Sequence, residues 1–387
     1  MTCAEATADR IAAAAALAGG AAVVLAAPAA GALLAGEGLP PLAFPPRPTE
    51  PGPASLSVGA AFLVGWIGAA TIWAALAAAL GCRPAQGPAP AAGGPWPRWG
   101  WAALVWTGLW WLVAWTRIPA LDPVQPLTFT PLWLGYIAVA ATLLRRLGAR
   151  RPRGRDLALL AGASAVWWWL FEYLNAYVRN WHYLGTERYG DAAYALLATA
   201  AFATVLPAVA LTTALLGRLR RPWRCPARLR PVRVRRPERA AALWALAGAA
   251  LLAAAGAFPA QAYPLIWAAP AMVLAGIQRL LGRPTWLAPL ARGDWRPVVL
   301  PALAALVCGL LWELWNWRSL ARWAYTLPGL QAPALFAMPL TGWAGYLPFG
   351  VSCAVFADLV LRAAGRGGFA AALGWDALEQ PPEEGSR

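Results

Sequence analysis

Twice in this chain, about 140 residues apart, a glutamate stands three residues before an asparagine inside an apolar segment. The first copy reads Trp169-Leu170-Phe171-Glu172-Tyr173-Leu174-Asn175 and is followed by Trp181-His182-Tyr183. The second reads Leu311-Trp312-Glu313-Leu314-Trp315-Asn316 and is followed by Trp323-Ala324-Tyr325. A spacing of three puts acid and amide on one face of a helix. A carboxylate in apolar surroundings is costly unless it is paired or used. Used together, two such acids can serve as proton donor and proton acceptor. Glu172, Asn175, Glu313 and Asn316 are therefore the candidate catalytic residues. Trp168, Arg179, Trp181 and Tyr183 around the first pair, with Trp312, Trp323 and Tyr325 around the second, are the candidate substrate-binding residues. Their ring faces suit a hydrophobic or cationic small molecule. The plainer alternative is an aromatic belt at a membrane interface, with each acid tied to an arginine such as Arg179 or to a helix end. Duplication of acid, amide and Trp-x-Tyr together weighs against it.

The elements that must carry these residues are hydrophobic helices. Of the 387 residues 60% are hydrophobic and only 13% charged, with a mean hydropathy of +0.51. Uncharged runs such as 11–34, 56–80 and 240–257 have the length of membrane spans. An open sheet would leave backbone groups unsatisfied in hydrocarbon, so the expected fold class is all-α, a polytopic transmembrane helical bundle. Ten spans are expected, at about 11–35, 55–81, 99–118, 127–147, 156–178, 193–216, 240–258, 263–281, 298–317 and 337–363. Residues 11–35 are expected to be a span and not a cleaved signal, because Glu5 and Asp9 accompany Arg10 where a signal would be basic.

The net charge of +15 is carried by arginine alone, the chain having no lysine. The arginines gather at 145–155 and 218–239, between spans. That pattern indicates cytoplasmic loops, with contact to membrane lipids and their anionic head groups, and no nucleic-acid partner. Alternate connections carry the charge, which places both termini in the cytoplasm and the protein in a cell membrane, a bacterial inner membrane by its composition. Five scattered cysteines without a CxxC and a single histidine, His182, leave no metal site and no cofactor to expect.

Spans three to six and seven to ten read as copies. Ile118-Pro119-Ala120 parallels Phe258-Pro259-Ala260, and Pro131-Leu132-Trp133 parallels Pro264-Leu265-Ile266-Trp267. Phe202 with Leu206-Pro207 lies as far from Glu172 as Trp343 with Leu347-Pro348 lies from Glu313, while Trp-x-Tyr is one residue farther out in the second copy. The expected division is a hairpin at 1–98 with a proline-rich outer loop, a first repeat at 99–217, a linker at 218–239, a second repeat at 240–363 and a tail at 364–387. Four spans per repeat give both the same orientation, about an axis along the membrane normal. On this topology the acids lie toward the outer ends of their helices. Asp358 and Arg362, four apart near the inner end of the last span, read as an intrahelical ion pair.

A polar–aromatic motif, Trp-x-Tyr and then a helix with a central proline, in tandem, resembles the integral-membrane lycopene cyclase type of carotenoid enzyme. The resemblance covers spans four to six and eight to ten. It implies a duplicated bundle that binds a polyisoprenoid. That family carries paired acids after the proline; here Pro348 is followed by Phe349-Gly350 and Pro207 by Ala208-Val209. The sequence thus points to an intramembrane enzyme acting on an isoprenoid or other lipid. The alternatives are a transporter or channel for a cation or small solute, with both acids on its path, and a non-catalytic scaffold in which they lock helix contacts.

Overall fold

The computed structural model describes residues 2–48, 94–148, 152–218, 229–327 and 333–375. They are mostly helical. The helices are α1 (Cys3–Leu34), α2 (Arg98–Trp115), α3 (Phe129–Arg146), α4 (Gly154–Val178), α5 (Asp191–Phe202), α6 (Val205–Arg218), α7 (Pro237–Ala257), α8 (Ala269–Leu280), α9 (Arg296–Asn316), α10 (Tyr346–Ala363) and the short α11 (Phe369–Leu373). Among the described residues six stretches are long and apolar enough to cross a membrane: Ala4–Leu34, Gly154–Val178, Asp191–Arg218, Pro237–Ala257, Arg296–Asn316 and Gly342–Ala363. A bent pair, Pro259–Trp267 with Ala269–Leu280 at 52°, makes a seventh if taken as one broken span. The described residues thus account for six or seven of the expected ten. α2 and α3 have 18 residues each, about 27 Å at 1.5 Å per residue, and are not among the six. The expected span at 55–81 lies outside the described residues.

Local chemistry explains the ends and breaks. Thr2 caps α1, its hydroxyl accepting from the Glu5 amide while the Glu5 carboxylate accepts from the Thr2 amide. The expected single span at 193–216 is interrupted between α5 and α6, just ahead of Pro207, whose missing N–H cannot close a turn. Ser164 of α4 repairs the gap, donating to the Phe202 carbonyl at 2.5 Å and accepting from the Leu206 amide at 2.9 Å. At the other bend, Ser352 of α10 donates to the Trp267 carbonyl at 2.7 Å. Close helix crossings rest on missing side chains. A Cβ on Gly31 of α1 would overlap the Ala253 carbonyl of α7, and one on Gly256 of α7 would overlap the Pro28 carbonyl of α1.

The packing is reciprocal. α2 pairs with α3 as α7 pairs with α8, and across the molecule α6 packs on α9 while α10 packs on α4. α1 lies against α7, α8 and α10. One end of the bundle is tied by charge. Arg362 of α10 pairs with Asp358 at 2.7 Å and with Asp9 of α1 at 3.3 Å, and Arg366 pairs with Asp156 of α4 at 2.6 Å. The expected Asp358–Arg362 pair is therefore present and extended to α1. The N-terminal ends of α1 and α4 and the C-terminal end of α10 meet here.

At the opposite end, two short strands that the sequence reading did not foresee form an antiparallel ribbon. They are β1 (Trp181–Leu184), just after α4, and β2 (Arg322–Tyr325), just after α9. Trp181 faces Tyr325, His182 faces Ala324 and Tyr183 faces Trp323. The Trp of each Trp-x-Tyr thus opposes the Tyr of the other. This pairing brings the C-terminal ends of α4 and α9 together.

Candidate functional site

Each asparagine of the motif fastens the strand that follows it. Asn175 donates to the Trp181 carbonyl at 2.8 Å and accepts from the amides of Asn180 at 2.8 Å and Trp181 at 3.3 Å. Asn316 donates to the Trp323 carbonyl and accepts from the Trp323 amide, both at 2.9 Å. The same amide therefore brackets the same tryptophan backbone in both copies, although the connection is one residue longer in the second. Both asparagines are buried, where unpaired groups are expensive.

Each glutamate collects aromatic donors. Glu172 Oε1 accepts from Trp168 Nε1 at 3.0 Å, Trp181 Nε1 at 3.0 Å and the Tyr183 hydroxyl at 2.5 Å. Glu313 Oε1 accepts from the hydroxyls of Tyr325 at 2.6 Å and Tyr346 at 2.8 Å, and Trp323 Nε1 donates to the Tyr325 oxygen at 2.7 Å. Glu172 and Glu313 are 1% and 0% exposed, and their Oε2 atoms are buried with no hydrogen-bond partner among the described residues. Burial, then the nearby carboxylate, holds the phenols of Tyr183 and Tyr325 well above their ordinary values, so both stay protonated and donate.

The donors wall a cavity of about 200 Å³, somewhat below the usual span of small-molecule sites. Of the candidate residues, Trp168, Trp181, Tyr183, Trp312, Trp323 and Tyr325 line it. The two acids and two amides lie behind that wall and hold it. Arg179 stands apart: it ends α4 in the left-handed conformation (φ 51°) and is exposed. The helical spacing that aligns it with Glu172 stops at Val178, so the alternative in which the two pair is replaced by aromatic donors.

Several lining residues were missed by the sequence reading: Tyr194, Trp267, Arg322, Tyr346 and Phe349. Trp267 carried a signal, being the residue that the sequence reading matched with Trp133. Trp133 packs on Trp312 at 5.1 Å, and Trp267 stacks on Phe171, the counterpart of Trp312, also at 5.1 Å. Phe349, standing where the resembled family has an acid, touches Trp168, Phe171, Trp267 and Trp312. The paired-acid chemistry of that family has no residue to carry it at this position. His182 is buried and its Nδ1 lies 3.3 Å from the Thr326 hydroxyl, a ribbon contact. Among the described residues no group of three or more metal-ligating side chains comes together.

Helices long enough to cross a bilayer, with aromatic clusters between them, define the class: a helical membrane protein. Compared with protein-family models, with curated proteins and with solved structures, the chain finds no match.

Proposed function

We propose that this protein is a ten-span membrane enzyme that takes a hydrophobic molecule of the isoprenoid or general lipid class into the aromatic cavity and does acid/base chemistry on it. The observation that carries the reading is that Tyr183 and Tyr325 line one cavity and each donates to a buried glutamate behind it. A phenol facing a substrate can exchange its proton with the carboxyl at its back. Two such pairs would let one deliver a proton and the other remove one, a rearrangement with no net proton change. Two same-orientation repeats, 99–217 and 240–363, fit the reciprocal packing and the ribbon's register. The arginine-rich connections favour a cytoplasmic location for the end that holds Asp9, Asp156 and Arg362.

Tyr183→Phe and Tyr325→Phe keep the rings and remove the hydroxyls. Each is expected to cut product about 100-fold or more in the lipid and pigment profile of cells making the protein, at unchanged protein level. Glu172→Gln and Glu313→Gln should do the same. Unchanged profiles in all four variants would sink the enzyme reading. Flux of a cation or small solute into liposomes that needs both glutamates would replace it with transport. The asparagine brackets give a specific reason to keep the scaffold as second reading. It predicts a lower melting temperature for the glutamate variants and no lipid carried through purification.

A further inference from the structure

The ribbon has two faces, and they border different hollows. Side chains alternate across a strand. Trp181, Tyr183 and Tyr325 point to the aromatic cavity, whereas Leu184 and Ala324 line a cleft of about 600 Å³ on the other side. Arg322 and Trp323 line both. The cleft also holds Arg117 and Arg318, so three guanidinium groups border one hollow.

Among the described residues none of the three has a carboxylate within ion-pair distance. Arg117 donates to the carbonyls of Ala114, Thr116 and Arg318. Arg318 lies over the ring of Trp317 at 5.0 Å and that of Trp115 at 6.0 Å. Arg322 spends one long hydrogen bond, 3.4 Å, on the Ser319 carbonyl. Arg117 and Arg318 are exposed and Arg322 is half-buried; the half-buried Arg296, Arg362 and Arg366, by contrast, each pair with a carboxylate, Arg296 with Asp294, Arg362 with Asp358 and Asp9, Arg366 with Asp156. Three positive charges without a carboxylate around one cleft repel one another, and with the Arg117 fork spent on carbonyls it is Arg318 and Arg322 that keep donors free for an oxyanion.

We propose that the cleft binds the anionic head, a phosphate ester or carboxylate, of the amphiphile whose hydrocarbon enters the aromatic cavity. Arg322 and Trp323 are common to both, and of the two Arg322 carries the charge. The inference rests on the reading of the cavity as a lipid site. It adds that the substrate is an anionic amphiphile and not a neutral hydrocarbon. The small volume of the cavity agrees with this, since it takes a section of chain and leaves the head outside.

The test uses the full chain in detergent and three probes: geranylgeranyl phosphate, geranylgeraniol and inorganic phosphate, followed by tryptophan fluorescence and calorimetry. The phosphate ester is expected to bind at least 10-fold tighter than the alcohol. Arg322→Gln should erase that ratio, Arg318→Gln should reduce it, and Arg322→Lys should retain part of it, with melting curves showing that all three variants fold. Equal binding of ester and alcohol, or a ratio untouched by Arg322→Gln, overturns the proposal while leaving the lipid cavity standing. Inorganic phosphate binding as tightly as the ester, with neither amphiphile entering the cavity, overturns it differently: the cleft is then a free-phosphate site and the lipid reading falls too.

Discussion

The two copies of the motif solve one problem with different residues. In the first, Trp168 comes from the same helix as Glu172, one turn earlier, and donates to it. The equivalent position in the second copy is Gly309, and the donor there is Tyr346 from α10. The space is shared out accordingly: a Cβ on Gly309 would lie 2.7 Å from the Tyr346 ring, while the counterpart of Tyr346 in the first copy is the smaller Val205. A large ring on one helix and a small residue on its neighbour have changed places. What both sites keep is a buried carboxylate under aromatic donors and an amide around the tryptophan backbone. What they do not keep is the helix that supplies one of those donors. The retained feature is thus the hydrogen bond to the acid and the wall it makes, which is why the wall is the better guide to function than any one ring.

The amide brackets should be the most sensitive point. Asn175→Ala would strand three backbone groups, the amides of Asn180 and Trp181 and the Trp181 carbonyl, and is expected to cost about 4 kcal/mol. Asn316→Ala would strand two, for about 2–3 kcal/mol. Chemical or thermal unfolding in detergent measures both. Equal losses, or a greater loss at Asn316, would mean that the bracket is not what holds the ribbon.

That ribbon marks where sequence reading reaches its limit. Six of the ten expected spans overlap helical stretches long and apolar enough to cross a membrane and a seventh overlaps the bent pair, because hydrophobic runs and prolines act locally; 99–118 and 127–147 overlap 18-residue helices that are not among them, and 55–81 lies outside the described residues. The glutamates, asparagines and Trp-x-Tyr elements were legible as a set because they recur. β1 and β2 were not, since each is four residues long and owes its shape to a partner strand far away in sequence. Tyr346 was missed for a related reason. Its role depends on α9 lying against α10, and the clue was an absence of bulk at Gly309. Arg179 misled because helical spacing was extended one residue past the point where the helix ends.

The exchange of bulk between the copies can be tested by completing it. Gly309→Trp alone should clash with Tyr346 and cost about 3 kcal/mol. Adding Tyr346→Val rebuilds in the second copy the arrangement of the first, with a tryptophan on the helix of the acid and a valine opposite. The double variant is expected to regain at least half of the loss, a coupling that a double-mutant cycle measures directly. Additive losses would show that the copies differ by more than this exchange.

The smallest effects should come from removing single donors while keeping the rings. Trp168→Phe leaves Glu172 with Trp181 and Tyr183, so about 1 kcal/mol is expected. Tyr346→Phe leaves Glu313 with Tyr325 alone, and the loss should approach about 2 kcal/mol because the remaining phenol must satisfy a buried acid unaided. The order matters more than the size. Tyr346→Phe should be the worse of the two, and Trp323→Phe worse than either count of direct donors suggests, since it removes the Nε1 donor that supports the Tyr325 oxygen. If Trp168→Phe proves the more damaging, packing of the indole against Phe171 and Phe349 outweighs its hydrogen bond, and the two sites are matched in shape before they are matched in donors.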